Sequence, residues 1–317
     1  MNNINREEIH LISKHSNWPE TSVQNTLKEE IYNTSNSWRK FLKTLFITLG
    51  IGFTVTGIIF FFAYNWNDLH KFIKIGMIEG LVIITTLLVL FSKFSFQTKN
   101  ILLTGASVLV GVLFAVFGQV YQTGANAYDF FLGWTMAITL WVVISNFAPL
   151  WILFFLLINT TFILYTEQVV TGWTEMLVTL IIVLINSSFL IISLLIPHYF
   201  KDYQVPSWFS KIIAFTVVFF GTMGVTLSLF NNLDSTFALL VLVVFSLFGY
   251  GIYYGLKNKS GFYLSIIPFG FIFIFSGFLI KISDDASMFF LVSLFVIGSV
   301  TFLIKYLIDL HKKWNHE

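Results

Sequence analysis

From about residue 44 to residue 307 the chain alternates between apolar blocks of roughly 20 residues and short polar stretches. Within a block such as LFITLGIGFTVTGIIFFFAY the apolar positions are uninterrupted, with neither the 3.6-residue stripe of a surface helix nor the two-residue alternation of a half-buried strand. A hydrocarbon core of about 30 Å is crossed by about 20 helical residues. Lipid offers no partner for an unpaired backbone group, so each block reads as a transmembrane helix. Ten are predicted, at about 44–64, 72–91, 101–121, 130–145, 150–165, 176–196, 212–230, 237–255, 262–280 and 288–307. The fourth and fifth are short and are divided by the stretch Asn146 to Pro149. The fold class is therefore all-α, a polytopic transmembrane helix bundle of about ten helices in five hairpins.

Residues 1–41 form the sizeable polar part. Ile4, Leu11 and Ile12 have the spacing of one helix face, and Pro19 suits the first turn of a second helix running to about Tyr32. A two-helix piece of this size is too small to hold an enzymatic core. It suits a docking element or a pair of helices on the membrane surface. The opening MNNINREEIH has no apolar stretch of signal-peptide type, so the first membrane helix is expected to act as the targeting signal.

Composition supports the same class and narrows the chemistry. Hydrophobic residues make up 56% of the chain and charged residues 11%, against roughly a quarter charged in soluble domains. The net charge of +2 is spread between the blocks and gives no footprint for nucleic acid. Without cysteine there are no disulfides, thiolate metal ligands or cysteine nucleophiles. The six His are scattered at 10, 15, 70, 198, 311 and 316, without metal-ligand spacing, and no phosphate loop or nucleophile elbow occurs. No cofactor, metal or catalytic residue is expected, and the reading leans away from an enzyme.

Orientation follows from the basic residues. Of the 18 Lys and Arg, all but Lys71, Lys74 and Lys281 fall on the side that holds the N-terminus. By the positive-inside rule both termini are expected in the cytoplasm. The opposite loops, NWNDLH, QTGANAYD, TEQVVTGWTE, NNLDST and ISDDAS, are short and acidic.

Candidate chemistry gathers in the second and third spans and the loops at their outward ends. Ser107, Gly111 and Ala115 recur every four residues and flatten one face of the third span, where another helix can pack closely. The same stripe continues to Gln119 and is followed by Tyr121, Gln122, Tyr128 and Asp129. A tight turn accounts for Gly124 and Asn126 but not for the surrounding cluster of Gln, Tyr and Asp. Trp66, Asn67 and Asp68 come from the preceding outward loop. Glu79 lies eight residues beyond Lys71, about 12 Å inside the membrane at 1.5 Å per residue. A carboxyl group at that depth faces a cavity or a partner; the alternative is that it bonds a neighbouring helix and fixes packing, with Gly76 and Gly80 admitting that neighbour. Lys74 can bend outward and need not pair with it. Asn159, Thr160, Thr161, Asn186, Ser187 and Ser188 lie inside apolar blocks and are expected to join helices by hydrogen bonds.

The run Gly118-Gln119-Val120-Tyr121-Gln122-Thr123-Gly124-Ala125-Asn126-Ala127-Tyr128-Asp129, with Ala63-Tyr64-Asn65-Trp66 and Leu150-Trp151, resembles the bacterial membrane family called domain of unknown function 2157. The resemblance spans about residues 5 to 165 and implies a bacterial inner-membrane protein with no established activity. Asn126 stands where the family usually has Asp, which transfers any carboxylate role there to Asp129. The division expected is a soluble segment 1–41, a family-like membrane domain 42–165, and C-terminal helices in 166–317.

Two functions fit these residues. One is a transporter or permeation-linked protein that holds a small solute in an outward polar pocket, with Glu79 at its floor and Trp66, Asn67, Asp68, Gln119, Tyr121, Gln122, Tyr128 and Asp129 around it. The other is a scaffold or sensor that meets protein partners through its outer loops and N-terminal helices. In either case the lipid bilayer is a partner.

Overall fold

The computed structural model describes residues 6–28, 35–122, 124–199, 205–231, 235–283 and 285–316. Its regular elements are twelve helices: α1 (Arg6–His15), α2 (Glu20–Thr26), α3 (Ser35–Tyr64), α4 (Lys71–Phe91), α5 (Phe96–Tyr121), α6 (Ala127–Ser145), α7 (Ala148–Gln168), α8 (Glu175–Tyr199), α9 (Ser207–Ser228), α10 (Ser235–Lys257), α11 (Gly261–Ile282) and α12 (Ala286–His316). The ten from α3 to α12 are long and apolar enough to cross a membrane, and they coincide with the ten predicted blocks.

Local signals mark several of the boundaries. Pro19 and Pro206 stand at the N-caps of α2 and α9, where a missing N–H costs no helical bond. The Ser95 side chain accepts a hydrogen bond from the Thr98 N–H at the start of α5. The short fourth and fifth spans are separate helices. Asn146 ends α6 in the left-handed conformation at φ 45°, and Pro149 lies in the first turn of α7.

Two features differ from expectation near the N-terminus. Helix α3 begins at Ser35, nine residues before the predicted 44, because the polar stretch SNSWRKFLK continues the helix past the apolar block. In α1 Ile9 is buried, at 1% exposure, while Leu11 and Ile12 are exposed. Ile4 and Tyr32 lie outside the described residues.

The chain divides into two compact units. The first comprises Met1–Ala125 with Met136–Ser145. In it α3 and α5 run parallel and α4 lies antiparallel to both. Phe62 of α3, Ile78 of α4 and Val116 of α5 form one buried cluster. Gly105 lets α3 approach α5 closely, since a Cβ there would stand 2.6 Å from Ile51 Cγ2.

The second unit comprises Asn126–Thr135 and Asn146–Glu317. Helix α9 is its centre, with half of its span buried, and its Ala214 and Val225 join one core cluster with Leu180 and Val183 of α8 and Leu240, Val244 and Phe248 of α10. Helix α12 lies along α11 and is scarcely buried; the Phe275 and Phe295 rings meet at 4.9 Å.

Candidate functional site

Helix α3 ends in a turn closed by two bonds: the Asn65 side chain donates to the Phe61 carbonyl at 2.9 Å, and the Asp68 N–H donates to the Asn65 carbonyl at 3.2 Å. This turn swings Trp66 over the start of α4. Trp66 and Leu69 pack on the Phe62, Ile78 and Val116 cluster, and the ring of Trp66 covers Lys74, whose Nζ lies 3.9 Å from the ring centroid. Lys74 is only 8% exposed. Its stem lies one helical turn before Ile78, on the buried face of α4, so the side chain turns inward instead of reaching toward the membrane surface. A cation over an indole face contributes about 0.5 to 2 kcal/mol, more as water is excluded. The sequence reading passed over this pair. The signal was present in the four-residue spacing of Lys74 and Ile78, which places both on one helix face.

The predicted residues are distributed as follows. Asn67 and Asp68 are exposed in the α3–α4 turn. Glu79 is exposed at the flank of α4, and a Cβ added at Gly76 or Gly80 would meet nothing within 4 Å. Among the described residues Glu79 has no hydrogen-bond or ionic partner, and no helix of the first unit occupies the space that the two glycines leave. Gln119 and Ala115 are exposed on α5. The Tyr121 ring meets Phe117 of its own helix at 4.7 Å in a tilted contact, and Gln122 closes α5 in the left-handed conformation at φ 44°.

Tyr128 and Asp129 belong to the second unit, whereas the seven other candidates belong to the first. Asp129 is the N3 residue of a capping box: its Oδ2 accepts from the Asn126 N–H at 3.1 Å, while the Asn126 side chain accepts from the N3 backbone. The Tyr128 N–H donates to Gln168 Oε1 at 3.1 Å, and its ring meets Tyr165 edge-on at 5.4 Å. Helix capping thus accounts for Gln122, Asn126 and Asp129, and the motif that looked most like a ligand cluster has a local structural use. Thr123 lies outside the described residues.

Some buried polar residues join spans: the Ser193 and Ser210 hydroxyls, on α8 and α9, share a hydrogen bond of 3.1 Å. Asn186 Nδ2 on α8 donates to Asn159 Oδ1 on α7 at 2.7 Å. Thr161, Ser187 and Ser188 donate instead to carbonyls of their own helices.

Ten apolar spans with buried polar contacts between them define an integral membrane protein of the polytopic α-helical class. Residues 20–151, from α2 into the first turn of α7, match the family described as Predicted membrane protein (DUF2157), in agreement with the resemblance seen in the Gly118 to Asp129 run. Helices α8 to α12 lie beyond that match. No curated protein and no solved structure matches the chain.

Proposed function

We propose that this protein is a membrane scaffold or sensor whose α4 offers a docking face, within the bilayer, to a helix of another membrane protein. The observation that carries this reading is Glu79, exposed about 12 Å inside the span and flanked by two glycines with open space above them. A carboxyl group facing hydrocarbon is costly. A partner helix that supplies a hydrogen-bond donor offsets the cost, and Gly76 and Gly80 allow its backbone to come close. The test is photo-crosslinking in the native membrane from a probe at Ile83, one turn beyond Glu79. A discrete adduct that disappears with Gly80→Leu supports the reading; a wild-type chain that gives no adduct overturns it.

A second reading is supported by the Lys74 and Trp66 pair. On it, the outward end of the first unit holds a small polar or anionic solute, with Asn67, Asp68 and Gln119 as exposed hydrogen-bonding groups at the same end as that buried cation. Purified protein would then be stabilised against heat by a solute of this class, and Lys74→Met would abolish the shift. With this polarity both termini lie in the cytoplasm, and the basic-residue asymmetry is the support for that placement.

A further inference from the structure

A groove of about 650 Å³ lies in the second unit between α10, α11 and α12. Its walls are mostly apolar, with Ile252, Leu256, Pro268, Phe271 and Phe302 among them, and its polar groups are Ser299 and Tyr306. Two close approaches set the register. Gly255 packs on Leu264, and Phe275 meets Phe295, so Leu256, Leu264 and Tyr306 share one end of the groove while Ile272 and Gly298 share the other. From Leu264 to Ile272 the groove runs between about 4 and 16 Å from the start of α11 at 1.5 Å per residue. That matches one leaflet of a hydrocarbon core about 30 Å thick. The shallow end is basic: Lys257 follows Leu256, Lys305 precedes Tyr306, and Lys259 lies in the connecting loop. Asp309 is the one carboxylate in residues 302–316.

We propose that this groove is a binding site for an anionic phospholipid, which lays one acyl chain between α10, α11 and α12 and sets its phosphate against Lys257 and Lys305. Three observations select this occupant. The depth fits a single leaflet, so a chain can enter from the membrane without leaving hydrocarbon. The Tyr306 hydroxyl at the shallow end gives a donor at the level of the glycerol esters. The neighbouring lysines are exposed and complement a phosphate that carries net charge, which a zwitterionic headgroup offsets internally. Tyr253 lies against Lys257, with Nζ 6.0 Å from the ring centroid, and keeps this side chain at the end of α10.

The experiment uses the full chain reconstituted in vesicles of equal phosphatidylglycerol and phosphatidylcholine, extracted in mild detergent and weighed intact by native mass spectrometry. The expected result is retention of phosphatidylglycerol over phosphatidylcholine by about fivefold for each contributing lysine. Lys257→Ala with Lys305→Ala brings the two lipids toward equal retention. Gly298→Leu fills the groove and removes the retained lipid of either kind. A Cβ at Gly298 meets nothing within 4 Å, so this change leaves the helix packing in place; Ser299→Leu is the second blocking variant. Equal retention of both lipids by the wild type, or unchanged retention by the blocked variants, overturns the proposal. The lysine variants alter exposed positions, so their readout does not depend on the tolerance of the groove.

Discussion

Asn186 and Asn159 are joined across two membrane helices by a 2.7 Å hydrogen bond, and each carboxamide also donates to a carbonyl one turn back on its own helix, Ile182 and Phe155 respectively. Asn186 is fully buried. Replacing it with Leu leaves Asn159 Oδ1 without its donor. Asn186→Leu should destabilise the second unit by about 1 to 2 kcal/mol. A double-mutant cycle with Asn159→Leu, read by unfolding in bicelles, should show clear non-additivity; strict additivity would mean that the bond contributes nothing.

Gly270 governs the approach of α11 to α9. A Cβ there would stand 2.6 Å from Thr222 Oγ1 and 3.1 Å from Phe248 Cε2. Gly270→Ala should therefore cost about 1 to 3 kcal/mol, the usual range for overpacking. Adding Thr222→Ala removes the nearest atom and should recover a substantial part of the loss, which thermal unfolding of the two variants would measure.

Asp129 distinguishes a cap from a ligand group. If its carboxylate serves the Asn126 N–H, Asp129→Ala should lower stability by about 0.5 to 2 kcal/mol while any solute-induced thermal shift at the Lys74 end stays at its wild-type size. Loss of that shift with unchanged stability would return Asp129 to the binding residues.

Orientation can be read with single cysteines because the chain has none of its own. Asn17→Cys should resist a membrane-impermeant thiol reagent in intact cells, whereas Ala125→Cys should react. Both positions are exposed, and Ala125 leaves the cap at Asn126 undisturbed. The reverse labelling would invert the topology and move the Lys74 end to the cytoplasm.

The helices were legible in the sequence because lipid demands long apolar runs and leaves the backbone one solution. The boundary at Asn146 to Pro149 was legible too, since a left-handed residue and a first-turn proline both have chemical signatures. The faces were not. In α4, Ile78 is fully buried and Met77 is 40% exposed, though both are apolar. Where lipid and protein interior are equally greasy, hydrophobicity does not distinguish the side that packs from the side that meets the bilayer. Glu79 and Lys74 were therefore assigned directions by chemistry alone. Lys74 takes the inward direction because Trp66 gives its charge an aromatic face, a contact that depends on the turn at Asn65 and not on hydropathy. Likewise the Gly118 to Asp129 run carried a specific resemblance, but a capping box and a ligand cluster draw on the same residue types.

The Lys74 charge also has an electrical consequence. Its Cα lies three residues inside α4, about 4.5 Å of a core about 30 Å thick, so the group crosses roughly a seventh of the transmembrane field. A unit charge moved through the whole field responds by about 2.3 kcal/mol per 100 mV, which leaves about 0.3 kcal/mol for this position. That is below thermal energy. At this depth the contact of Lys74 with Trp66 changes little over a swing of about 100 mV, and a solute held at that end would be sensed with little interference from voltage.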